Sequence, residues 1–183
     1  MRADAQQNYQ QLLTIAQQEF AEQGVNASLR NIARKAEVGM GTLYRHFPNR
    51  EALLEAILRS SFDAAAVRAR HVAEQHHSEE ALMLWVSEIT EFTYTHQGII
   101  QLMMGAIEDL DSALHSSCVS LRAAGAELLR NAQEEGKARA DLSGDELFDL
   151  IAALAWLKEQ PSSGVRAERH FEILSRAILT APR

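Results

Sequence analysis

The stretch SLRNIARKAEVGMGTLYRHFPNREALL, residues 28–54, holds two short helical patterns separated by only a few residues. Ser28 can cap the first, on which Leu29, Ile32, Ala33 and Ala36 share one face. A tight turn follows around Glu37-Val38-Gly39. The next helix carries Thr42, Leu43 and Tyr44, and it must end near His46 because Pro48 keeps Phe47 out of the α conformation. Ala33 is small enough for a helix to cross closely over it, Val38 plugs the turn and Leu43 anchors the second of the two helices. Together these features outline a helix-turn-helix. Tyr44, Arg45 and His46 then present a hydroxyl, a guanidinium and an imidazole, all suited to phosphate oxygens.

Outward from this stretch, helical periodicity continues in both directions. Upstream, Tyr9, Leu13, Ala16 and Phe20 step by four, three and four, and Gly24 supplies a stop. Downstream, Asn49 caps a helix whose positive end suits Glu51 and Glu55. Its stripe of Leu54, Ile57, Leu58, Phe62, Ala65, Ala69 and Val72 runs to about His76, roughly 39 Å at 1.5 Å per residue, long enough to pass from one domain into another. A helix from Ser78 with Leu82, Trp85, Val86, Ile89 and Phe92 is expected to end at Gly98, and residues 99–106 to form a short apolar helix. A long helix then carries Leu110, Leu114, Cys118, Leu121, Gly125, Leu128 and Ala132 up to Gly136. Ser143 with Glu146 is a capping box for a helix that ends before Pro161. A last helix holds Phe171, Leu174 and Ile178. No β-alternation and no internal repeat is present.

Composition narrows the function classes. The chain has 183 residues, 25 acids and 18 bases, for a net charge of -7. That opposes coating nucleic acid by bulk positive charge. The charge is uneven, however: residues 1–50 carry a net +2 and the remainder -9. A basic head on an acidic body implies one anion-facing end. The lone Cys118 cannot form an internal disulfide, which fits a reducing, cytoplasmic setting. Residues 1–7 include no apolar run of the kind a signal peptide needs, and no run approaches the ~18 apolar residues of a membrane span. Three prolines and nine glycines are few, as expected of an all-helical chain.

Ile32-Ala33, Ala36, Val38, Gly41-Thr42-Leu43-Tyr44-Arg45-His46-Phe47-Pro48 and Arg50-Glu51-Ala52-Leu53 resemble the DNA-binding domain of tetracycline-repressor (TetR) type transcription regulators. The resemblance covers about residues 10–60. It implies an all-α fold of about nine helices. Residues 1–50 would form the helix-turn-helix domain, extended to about residue 60 by the start of the connecting helix. Residues 51–183 would form a helical ligand-binding and dimerisation domain. It also implies a homodimer on a double-stranded DNA operator, released by a small-molecule effector, with no cofactor and no membrane partner. By position, Met40, Gly41, Thr42 and Tyr44 lie on the recognition helix, and Ser28, Arg30, Tyr44, His46 and Arg50 fall where family members contact phosphates. A base at the start of a helix does not suit that helix's own dipole, so Arg50 is expected to serve an external anion. Two positions depart from the family pattern. Glu37 stands where glycine is common, and a left-handed conformation there would cost glutamate roughly 1 kcal/mol. Gly39 stands where a serine cap is common, leaving the recognition helix weakly capped. Met40 and Gly41 offer no hydrogen-bonding side chain to base edges, so readout is expected to lean on shape and on Arg45.

Further sets of residues are candidates for the larger domain. Phe62, Trp85, Ile89, Phe92, Met103, Met104, Cys118 and Trp156 could line a pocket for an apolar or aromatic effector, with Tyr94, His96 and Gln101 as polar contacts; ordinary core packing also explains the apolar ones. Leu147, Leu150, Ile151 and Leu154 with Phe171, Leu174 and Ile178 form stripes that could meet their twins across a two-fold axis as a four-helix contact. His71, His76, His77, His115 and Cys118 match no tight metal-ligand spacing, so no metal is expected. No Gly-rich phosphate loop, nucleophile elbow or His-Glu-x-x-His run appears, so no enzyme is expected. The expected function is a ligand-responsive regulator, most often a repressor. Alternatives are an architectural DNA-binding protein without ligand control and a small thiol-dependent enzyme.

Overall fold

Side-chain caps mark where several of the helices begin. In a computed structural model, which describes residues 2–180 with side chains from Gln6 onward, nine α-helices are present among the described residues. Residue 1 and residues 181–183, the outer ends of the two expected domains, lie outside the described residues. The helices are α1 (Arg2–Gln23), α2 (Leu29–Lys35), α3 (Met40–His46), α4 (Arg50–Gln75), α5 (Ser78–Leu102), α6 (Met104–Glu108), α7 (Ala113–Glu134), α8 (Gly144–Glu159) and α9 (Ala167–Ile178). Asn49 Oδ1 accepts from the Ala52 amide at 2.7 Å at the head of α4. Ser143 and Glu146 form the expected reciprocal box at the head of α8. Each satisfies amides that an α-helix leaves without an internal partner.

Glycine ends a helix only where the chain takes a positive φ. Gly24 (φ +67°) and Gly136 (φ +69°) do so, and α1 and α7 stop beside them. Gly98 does not, and α5 runs through it to Leu102, which corrects the expected stop. The apolar helix expected over residues 99–106 is accordingly the tail of α5 followed by the short α6. Leu110 also departs from expectation. It lies before α7, in a turn where Asp109 Oδ1 accepts from the Asp111 amide, and it is 78% exposed.

The described residues form two compact units that do not follow a single boundary at residue 50. The first contains residues 2–61 with His96–Ser116, and the second Phe62–Thr95 with residues 117–180. In the first, Leu12, Leu13, Ala16 and Phe20 of α1 are buried, as are Ile32, Leu43, Leu53, Leu54 and Ile57. In the second, the fully buried Trp85 donates its indole N–H to the Ala65 carbonyl at 3.1 Å and meets the Phe148 ring edge-on at 5.7 Å. Gly125 lies against the Trp85 ring, where any Cβ would overlap it. The end of α9 is tied to the loop after α7: the Arg139 amide donates to Ile178 O and the Thr180 amide to Lys137 O, both at 2.9 Å. No helix of the described residues is long and apolar enough to cross a membrane.

Candidate nucleic-acid interface

The turn between α2 and α3 is built by backbone bonds. The Val38 amide donates to Ala33 O at 3.0 Å and the Glu37 amide to Arg34 O at 3.2 Å. This is the paired closure in which the residue after the helix's C-cap, here Ala36, takes a left-handed conformation. That residue is Glu37, at φ +56°, the one non-glycine residue with positive φ among the described residues. The strain anticipated from the glutamate is therefore present. α2 starts at Ser28, whose Oγ accepts from the Asn31 amide at 3.4 Å. α3 starts at Gly39 with no side-chain cap.

Leu43 and Phe47 are buried and fix the inner face of α3. Tyr9 of α1 packs its ring 5.1 Å from Phe47 and 5.9 Å from His46. The outer face then presents Gly41, Tyr44 (47% exposed) and Arg45, with Met40, Thr42 and His46 half-buried at its sides. Arg30 on α2 is exposed as well. Eight of the nine residues expected at a nucleic acid, all but Arg50, thus lie on α2, its cap or α3. The reading missed Arg34, an exposed cation in the last turn of α2 whose signal was its place one turn from Arg30.

Two cations of this segment are engaged elsewhere. Lys35 pairs with Glu19, a carboxylate only 1% exposed that also accepts from Gln23 Nε2 at 2.9 Å. The bond to Glu19 raises the Lys35 pKa, so the ammonium stays charged. Arg50 is not turned to an external anion as expected. Its Nη1 donates to Val25 O and Ala27 O, both at 2.8 Å, and its guanidinium lies 5.7 Å from the centroid of the Phe20 ring. The helix dipole gave the right objection to a base at that site but the wrong remedy: the partners are backbone carbonyls of the preceding connection. Arg30, Arg34 and Arg45 make no ion pair among the described residues.

The other candidate residues divide between the two units. Phe62, Trp85 and Ile89 are buried, and Phe62 meets Phe92 edge-on at 5.9 Å, so packing accounts for them. Met103 is buried in the first unit, whereas Met104 and Trp156 are exposed and Trp156 (54%) faces outward from α8. Burial pushes the Cys118 thiol up against the pull of Arg122, the opposite of what a reactive thiolate needs. His115 Nδ1 donates to Ile107 O at 2.7 Å. Of the expected dimer residues, Leu147, Ile151 and Ile178 are buried and Leu154 nearly so, while Leu150, Phe171 and Leu174 are half-buried. Four of the seven, Leu147, Ile151, Leu154 and Ile178, are thus taken up by the unit's own core.

Residues 12–57 match the family model of bacterial regulatory proteins of the tetR family, and residues 77–177 match that of the C-terminal domain of SbtR-like transcriptional regulators. The chain belongs to the TetR family. An HTH-type transcriptional regulator of Staphylococcus aureus is 32% identical over 103 residues, which are 55% of this chain and 56% of that protein, so the chain spans about half the length of the curated relatives it matches. A TetR regulator of Streptomyces coelicolor covers 95% of this chain, and 99% of its own, with a TM-score of 0.77 at 26% identity. One from Mycobacterium vanbaalenii covers 98% and 99% with a TM-score of 0.76 at 27% identity. The names of all three relatives describe regulators of transcription.

The strained turn makes a prediction of definite sign. Glu37→Gly removes the left-handed penalty, and stability should rise by roughly 0.5–1 kcal/mol. The melting temperature measures this, and a fall on substitution would contradict the turn geometry.

Proposed function

We propose that this TetR-family chain is a ligand-responsive repressor that binds operator DNA as a homodimer. The observation that carries this reading is the division of labour among the cations. Lys35 and Arg50 are tied inward, while Arg30, Arg34 and Arg45 stand exposed beside Tyr44 on α2 and α3. Phosphate contacts of this kind fix register and orientation, and an exposed α3 is suited to a major groove. Gly41 and Met40 keep direct base contacts few, leaving Thr42, Tyr44 and Arg45 with DNA shape to supply sequence preference.

The dimer surface is better sought on the outward faces of α8 and α9 than on the buried stripes. Ala152, Ala153 and Trp156 are exposed on α8, and Ile173 and Ala177 on α9. Small residues around a large aromatic permit close approach and supply an anchor, and a two-fold axis repeats the patch on both partners. Ligand control is then a population shift. A ligand that prefers a head spacing other than one DNA turn, ~34–36 Å, lowers operator affinity by its differential affinity for the two states.

Two measurements test this reading. With a duplex selected from a random pool, three cations per subunit neutralising about six phosphates in all give a log–log salt slope near -5. Arg45→Ala should flatten the slope by about 2, while Arg50→Lys should lower thermal stability and leave the slope in place. An unchanged slope in Arg45→Ala would contradict the interface. In sedimentation, Trp156→Glu should give a folded monomer at micromolar concentration, whereas Leu147→Glu should unfold the chain; a Trp156→Glu dimer would contradict the assigned face.

A further inference from the structure

We infer that Glu37 is an affinity-limiting residue of the DNA face: its carboxylate opposes the approach of phosphates and holds down sequence-independent binding. This rests on the placement of the DNA face proposed above. Glu37 is the sole acid in the sequence between Glu22 and Glu51, and over residues 28–47 it stands among the cations Arg30, Arg34, Lys35 and Arg45. It occupies the turn between α2 and α3, the helices that carry the exposed Arg30, Arg34 and Arg45.

The fold does not use this side chain. The turn is closed by backbone groups, and Glu37 contributes its amide, which donates to Arg34 O at 3.2 Å. Its side chain is exposed, and the carboxylate makes no hydrogen bond or ion pair among the described residues, not even with Arg34 one turn earlier. The backbone meanwhile sits at φ +56°, where glycine is unstrained and glutamate is not. A strained residue whose side chain has no internal partner can act only outward, on whatever the turn faces.

What a carboxylate does there follows from Coulomb's law. Beside a duplex it is repelled by every phosphate within about a Debye length, about 10 Å at 0.1 M salt and about 30 Å at 0.01 M. The repulsion takes no account of base sequence. It opposes the arginines in the part of binding that counterion release drives, which is the part available at every non-operator site. Glu37 therefore sets the strength of binding and leaves the choice of sequence to α3.

Three substitutions separate the charge from the strain. Glu37→Gln keeps a side chain of the same shape in the left-handed turn and removes the charge. Glu37→Asp keeps the charge, and Glu37→Gly removes both charge and strain. Each full chain is titrated with the selected duplex and with a duplex of unrelated sequence, from about 0.05 to about 0.3 M salt. Glu37→Gln should bind both duplexes about fivefold more tightly at the lowest salt, with the gain shrinking as salt rises and a log–log slope steeper by about 1 to 2. Glu37→Asp should bind as the wild type does. Glu37→Gly should gain as much affinity as Glu37→Gln and no more. Wild-type affinity and slope in Glu37→Gln, or a gain confined to Glu37→Gly, would overturn the inference. So would tighter binding of the unrelated duplex with weaker binding of the selected one, because Glu37 would then be reading a base. Arg45→Ala, titrated alongside, keeps the two readings apart. If it flattens the slope while Glu37→Gln leaves the slope unchanged, the DNA face stands and the role of Glu37 falls. If neither variant moves the slope, the DNA face itself falls, and this inference with it.

Discussion

Two backbone hydrogen bonds, from the Val38 amide to Ala33 O and from the Glu37 amide to Arg34 O, set the direction in which α3 leaves α2. They are possible only because Glu37 takes a positive φ, which most residues avoid. Once that turn is fixed, Leu43 and Phe47 point inward and are buried, and Tyr44 and Arg45 have no alternative but the outside. The interface is a consequence of this turn, because a helix of seven residues has too little intrinsic stability to hold its own orientation.

Support for the turn comes from groups that would otherwise look like part of the basic surface. Arg50 bonds the carbonyls of Val25 and Ala27 and so joins the head of α4 to the connection that precedes α2. Glu19 and Lys35 do the same between α1 and the last turn of α2. Burying a carboxylate is unfavourable unless it is paired and hydrogen-bonded, and Glu19 has both Lys35 and Gln23.

What was legible in the sequence was local. The caps at Ser28, Asn49 and Ser143, the stops at Gly24 and Gly136 and the departure at Glu37 depend on residues within a few positions of one another. Arg50 was misread because its partners lie 23 and 25 residues away and are main-chain oxygens, which leave no mark in a side-chain pattern. The Glu19–Lys35 pair, separated by 16 residues, was missed for the same reason. The apolar stripes of α8 and α9 were correctly seen as apolar. Periodicity cannot say whether such a stripe faces its own core or a partner, and here Leu147, Ile151 and Ile178 face the core. Among the eight pocket candidates, Phe62, Trp85 and Ile89 are core residues of the second unit, and large apolar residues mark any core as readily as a ligand site.

The placement of the DNA face on α2, the turn and α3 is the claim on which the functional account stands. Hydrogen exchange of the full chain, with and without a selected operator duplex, tests it directly. The account predicts that amides of residues 28–47 slow by about tenfold or more on binding, while those of α8 and α9 keep their rates. Protection confined to α8 and α9, with residues 28–47 unchanged, would contradict it.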